Sequence, residues 1–282
     1  MNACSTAPEH PGELRIVTSI DVYADIARTV AGGHAEITSF IDDPAQDPHS
    51  YEATARNQLA AARADVIIEN GGGYDDFMDR MRTASHSSAT VINAVRLSAR
   101  TRNDEAANEH VWYDFPTVAR LATRLSAVLS AHDPVHRASF HSNAARFVAD
   151  VRGLEQGEAA IRAGYARAGV AITEPVPVYL LDACGLVDKT PPAFSTAVED
   201  GTDVSAGVLE RTLGLFRSHA VAALVYNEQT SGAQTSQVLD AARAAHVPRV
   251  AVTETLPRDE HYVAWMRANI ANLRAALSGV SP

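Results

Sequence analysis

Residues 14–30 read LRIVTSIDVYADIARTV, and the fold is decided there. Leu14-Arg15-Ile16-Val17-Thr18 is a short β-rich run, and Asp21 is placed to cap a helix running through Val30. A strand passed directly to a helix is half of a βαβ unit, and the pattern recurs downstream. Ala35 to Ile41 reads as a second strand, ending in the turn-rich Asp42-Asp43-Pro44. Asn57 to Arg63 reads as a helix with Leu59 inward. Val66-Ile67-Ile68 is a buried third strand stopped by Asn70-Gly71-Gly72-Gly73. A helix from Tyr74 to Arg82 and a fourth strand, Thr90-Val91-Ile92, complete the run. Strands alternating with helices of this length predict a parallel sheet.

The alternation stops near Arg96. From Thr117 to Ala168 the pattern is helical, with Val118, Leu121, Leu125, Val128 and Leu129 on one apolar face. Pro134 breaks the run, and Phe140, Phe147, Val151 and Leu154 recur at helical spacing beyond it. The alternation then resumes with a strand at Val170 to Thr173, a helix at Val178 to Cys184 stopped by Gly185, and a strand at Val221 to Tyr226. A helix from Thr235 to Ala245, a strand from Arg249 to Thr253 and an amphipathic helix from Glu260 to Leu277 end the chain. The expected class is α/β: two α/β lobes with mostly parallel sheets joined by a long rigid linker helix. The expected bounds are a flexible tail at 1–13, an N-terminal lobe at 14–133, the linker helix at 134–168 and a C-terminal lobe at 169–282.

Composition narrows the function. The chain has 282 residues, 46% hydrophobic and 21% charged, the balance of a soluble globular protein. Its formal charge is −10, and its basic residues form no long run, which argues against a nucleic-acid partner. No stretch of 18 apolar residues exists to span a membrane as a helix. Two cysteines cannot build a disulfide framework. Cys4 lies in the tail and Cys184 in an apolar helical segment, so no bridge between them is expected. No signal peptide is read in the chain. Ala3-Cys4-Ser5 nevertheless looks like the junction left when a bacterial lipoprotein signal is cleaved, which makes Cys4 a candidate for lipidation.

In an open α/β sheet, ligands gather outside the carboxyl ends of the strands. Four chemistry-bearing residues fall at such ends. His49 follows the second strand, in Asp47-Pro48-His49-Ser50-Tyr51-Glu52. His110, in Asn108-Glu109-His110-Val111-Trp112, lies where the first lobe meets its helices. Glu174 and Glu254 directly follow the strands ending at Thr173 and Thr253. Separations of 61, 64 and 80 residues put each on a different connection, and a cleft between the lobes would bring them together. Two neutral imidazoles and two carboxylates suit one divalent cation, without which the carboxylates would repel. A carboxylate binding through both oxygens raises the coordination number, which favours manganese over a closed tetrahedral zinc site, although the general affinity order favours zinc. Each residue also has a plainer reading: His49 as a turn histidine, His110 as a surface histidine, and the glutamates as caps of the helices that follow.

At these residues the chain resembles the metal-binding solute-binding proteins of bacterial zinc and manganese ABC transporters, over roughly residues 14–278. Residues 47–52 resemble that family's DPHxYE segment, and His110-Val111-Trp112-Tyr113-Asp114 its HVWxD segment. Glu174, followed by Tyr179 and Gly185, is similar to its third-ligand segment. The resemblance implies metal ligands at His49, His110, Glu174 and Glu254. It departs at Glu254, where the family usually has aspartate, so Glu228 and Asp259 stand as nearby substitutes. The short, histidine-free Ala99 to Glu109 and the glutamate at position 174 both lean towards Mn²⁺ over Zn²⁺, with Fe²⁺ behind. The implied role is an extracytoplasmic monomer, at the cell surface or in the periplasm and lipid-anchored through Cys4. It would pass a divalent ion to the membrane permease of an ABC importer without catalysis. Two other readings stay open: a metal-dependent hydrolase using a glutamate such as Glu228 as base, and a binding protein whose histidines are incidental. The sequence holds no H-E-x-x-H, P-loop or G-x-S-x-G motif to support the first.

Overall fold

The computed structural model describes residues 13–43, 46, 51–100 and 108–279. The first half alternates as expected: β1 (Leu14–Ile20), α1 (Asp21–Ala31), β2 (Ala35–Ile41), α2 (Ala55–Arg63), β3 (Val66–Glu69), α3 (Asp76–Ala84), β4 (Thr90–Asn93) and the short α4 (Ala94–Leu97). A 3-10 turn at Val111–Tyr113 leads into α5 (Phe115–His132), and the 29-residue α6 (Arg137–Tyr165) follows. The second half is β5 (Gly169–Ile172), α7 (Val178–Ala183), β6 (Val187–Asp188), α8 (Pro192–Glu199), α9 (Ala206–Arg217), β7 (Ala223–Asn227), α10 (Ala233–Ala244), β8 (Arg249–Val252) and α11 (Tyr262–Ser278).

The strands form two four-stranded sheets, ordered β2-β1-β3-β4 and β6-β5-β7-β8, and every pairing is parallel. In each sheet the order reverses between the first strand and the third. The carboxyl ends of β1 and β3, and of β5 and β7, are therefore the switch points where a ligand crevice opens. Glu174 and Asn227 lie at the second of these.

α6 joins the two sheets, about 43 Å long at 1.5 Å per residue. Its buried residues, Phe140, Ala144, Phe147, Val151, Leu154, Glu158 and Ile161, alternate in steps of four and three, so one straight seam faces the protein. A single apolar cluster runs from β1 through α5 and α6 to α11, including Ile16, Leu125, Phe147, Val225 and Leu273. A second, under the far face of the C-terminal sheet, gathers Phe194, Phe216, Leu224 and Val238.

Three local readings are corrected. Leu59 points outward at 52% exposure. Asn57 is drawn inward by the capping box with Thr54 and by a bond to the Tyr51 hydroxyl, so Ala61 faces the core instead. Asp21 does not cap α1; its carboxylate accepts the backbone N–H of Leu256, 3.0 Å away across the interface between the lobes. The stretch from Leu186 to Ala220, to which the strand and helix patterns assign nothing, carries β6, α8 and α9. Cys184 is a buried free thiol, whereas Cys4 lies outside the described residues. Among the described residues no helix is long and apolar enough to cross a membrane.

Candidate metal centre

His110 precedes the 3-10 turn and is fully buried. Its segment is held from both lobes. Asn70, at the end of β3, donates through Nδ2 to the Glu109 carbonyl at 2.9 Å. Tyr262 of α11 donates to the Trp112 carbonyl at 2.6 Å, and Tyr113 donates to the Thr253 carbonyl at 2.8 Å. The turn after β3 supplies a wall. Gly71 has φ +78° and leaves no room for a Cβ, which would stand 2.2 Å from Asn93 Nδ2. The chain turns there so that Asp75 accepts the N–H groups of Asn70 and Gly71, and Tyr74 is delivered fully buried beside His110. The Tyr74 and Trp112 rings lie 5.9 and 5.1 Å from the His110 ring, centroid to centroid.

Glu254 reaches this histidine from the turn after β8. Its Oε2 lies 3.8 Å from His110 Nε2 and accepts from the Tyr74 hydroxyl at 3.4 Å. Asn227 Nδ2 donates to its Oε1 at 2.7 Å, and Gln229 accepts its backbone N–H. Glu174, buried after β5, caps nothing: the residue preceding α7 is Pro177. The cap reading of Glu254 falls likewise, since His261 precedes α11. A third carboxylate, which the sequence reading missed, comes from Glu199, the last residue of α8. Its Oε1 stands 3.3 Å from His110 Nε2, nearer than Glu254. A carboxylate at a helix C-terminus opposes the helix dipole, and that is the sequence signal that marks it once the helix begun by Pro191-Pro192 is read.

These acids feel one another. Burial, then Glu254 and then Glu199, push the Glu174 carboxyl up to about 7. Burial of His110 works against its charged form, but Glu254 and Glu199 outweigh it and the net shift is upward. His110 Nε2 and Glu174 Oε2 are both buried without a well-aligned hydrogen bond among the described residues. A cation would satisfy either atom it reached and would relieve the repulsion among the carboxylates.

The structure thus brings His110 and Glu254 together, adds Glu199, and couples Glu174 to them by charge. His49, the remaining candidate ligand, lies outside the described residues. Among the described residues no group of three or more His, Cys, Asp or Glu side chains is arranged to hold a metal ion. Glu228 and Asp259, the substitutes for Glu254, are exposed.

Comparison with known proteins agrees with this architecture. The family model described as ZnuA, zinc-uptake complex component A, periplasmic, matches residues 16–276. The manganese-binding lipoprotein MntA of Halalkalibacterium halodurans is 25% identical over 153 residues, 54% of this chain and 51% of that protein. The iron-binding protein YfeA of Yersinia pestis is 24% identical over 147 residues, 51% of this chain and 47% of that one. The chain spans about half the length of these curated relatives. Among solved structures, the periplasmic zinc-binding protein TroA of Treponema pallidum superposes with a TM-score of 0.79 at 20% identity, covering 94% of this chain and 99% of its own, which shows the shared fold.

Proposed function

The chain belongs to the ZnuA family of metal-binding solute-binding proteins, and from that premise we propose that it captures one divalent transition-metal ion outside the cytoplasm and delivers it to the permease of an ABC importer. The function is coordination, not catalysis. The observation that carries the reading is the convergence of Glu199 and Glu254 on the buried Nε2 of His110, with Glu174 charge-coupled to them. His110, Glu174 and Glu254 hold the ion together with His49, and Glu199 adds negative charge beside them. Glu228, the base that a hydrolase would need, is exposed, and no observation favours that reading.

Manganese is the preferred cargo in this proposal, zinc second and iron third. Carboxylate oxygens dominate the described donors, and such donors suit the harder ion, whereas imidazole-rich closed sites suit zinc. The relatives' own names span manganese, iron and zinc, so the preference rests on the donor chemistry of this chain. A lipid on Cys4 would hold the carrier at the membrane beside its permease.

Calorimetric titration of metal-free protein with Mn²⁺ and Zn²⁺ tests the proposal. The expected result is saturable binding of one ion, weakened by roughly a hundredfold or more in His110→Ala, since even outer-shell partners of metal ligands are worth ~10–100-fold. Absence of saturable binding, or an unchanged affinity in His110→Ala, overturns it.

A further inference from the structure

Asn108 lies two residues before His110, and its side-chain amide meets both lobes. Its Nδ2 donates to the carbonyl oxygen of Pro175 at 2.7 Å. Its Oδ1 accepts the backbone N–H of His110 at 2.9 Å and lies 2.7 Å from His110 Nδ1. The orientation of the amide is fixed twice over. A carbonyl oxygen only accepts, so the group facing Pro175 is the NH₂; a backbone N–H only donates, so the group facing His110 is the oxygen. An amide oxygen cannot donate, so the bond to Asn108 requires a proton on Nδ1 and leaves Nε2, the nitrogen a cation would take, facing Glu199 and Glu254. Pro175 directly follows Glu174, so the same amide connects the His110 segment to the turn carrying a donor from the other lobe. Tyr179 of α7 doubles the connection by donating to the Asn108 carbonyl at 2.6 Å.

We propose that Asn108 is a positioning residue: its amide dictates which imidazole nitrogen of His110 faces the cavity and straps the His110 segment to the Glu174 turn. One half of the amide prepares the ligand, and the other half keeps two ligands from opposite lobes in register. The metal-binding consequence rests on the function proposed above; the tautomer and the strap do not.

Two variants separate the halves. Asn108→Ala removes both. Asn108→Asp keeps an oxygen for His110 Nδ1–H but cannot donate to Pro175. Nitrogen-detected imidazole NMR of the metal-free wild type, at a pH where the ring is neutral, is expected to show His110 protonated on Nδ1. The same spectrum of Asn108→Asp is expected to match it, and Asn108→Ala to lose the preference. Titrated with Mn²⁺ and Zn²⁺, Asn108→Ala is expected to bind ~10–100-fold more weakly. Asn108→Asp is expected to retain more of the affinity while releasing the ion faster in stopped-flow chelation. An Nε2-protonated His110 in the wild type overturns the inference, whether or not either variant folds. So does wild-type affinity in a folded Asn108→Ala. If the wild type binds neither ion, the transport reading fails, and the tautomer measurement still decides the role of Asn108.

Discussion

Glu174 shows how a buried acid reports on its neighbours. With its carboxyl pushed up to about 7, the folded metal-free protein holds a proton there that the unfolded chain releases near its ordinary value of 4.5. Stability from this group is therefore fully present below about pH 4.5 and is lost as pH rises through about 7. A bound cation replaces the proton, so metal uptake should release protons and weaken as pH falls below about 7. Glu174→Gln should flatten this part of the pH dependence of thermal unfolding in the metal-free protein. An identical pH profile for variant and wild type would show that Glu174 is not the titrating group.

At the scale of elements, α6 carries a second buried acid. Glu158 occupies a seam position between Leu154 and Ile161, where its Oε1 finds no hydrogen-bond partner among the described residues, and burial raises its carboxyl to about 8. Its stabilising contribution is lost as pH rises from about 4.5 through about 8, so Glu158→Gln should raise the midpoint of unfolding at pH 9 and change little at pH 4. Equal effects at both pH values would contradict that assignment. α11 begins on a residue of α1: Asp25 accepts the Tyr262 backbone N–H at 2.8 Å and lies 2.7 Å from His261 Nδ1. With Asp21 one turn earlier on Leu256, it pins the chain that follows Glu254 to the N-terminal lobe. Asp25→Ala should cost about 1–2 kcal/mol in denaturant unfolding, the range of a lost N-cap, and a change under ~0.5 kcal/mol would show that α11 does not depend on it.

Those same elements show what is legible in the residues alone. Hydrophobic period announces both sheets, because the central strands β1, β3, β5 and β7 are mostly buried. Leu186 to Asp200 is opaque for a physical reason: β6 is two residues long and α8 is eight, too short for a period to emerge, whereas α9 does carry one, with Val208, Thr212 and Phe216 buried four apart. Glu199 is hidden with them. Asp21 misleads because its position is also that of a cap, and only the folded chain brings Leu256 to it. His110 and Glu254 are readable from their place after a strand or lobe boundary, whereas the role of Asn108 depends on Pro175, 67 residues away.

For the molecule as a whole, the apolar cluster through α5, α6 and α11 and the hydrogen bonds between the lobes leave little freedom for a wide hinge. In the proposed transport role, release would then need short segments, such as those bearing Glu174 and Glu254, to move while the sheets stay fixed. Bound metal should raise the unfolding temperature with concentration, as any ligand of the native state does. Anomalous diffraction from metal-loaded crystals, recorded at the Mn and Zn edges, tests the central claim most directly. The account predicts one peak between the lobes, within about 2.5 Å of His110 Nε2 and of oxygens from Glu174 and Glu254, with His49 completing the shell. A peak elsewhere, or none in crystals grown with saturating metal, would contradict it.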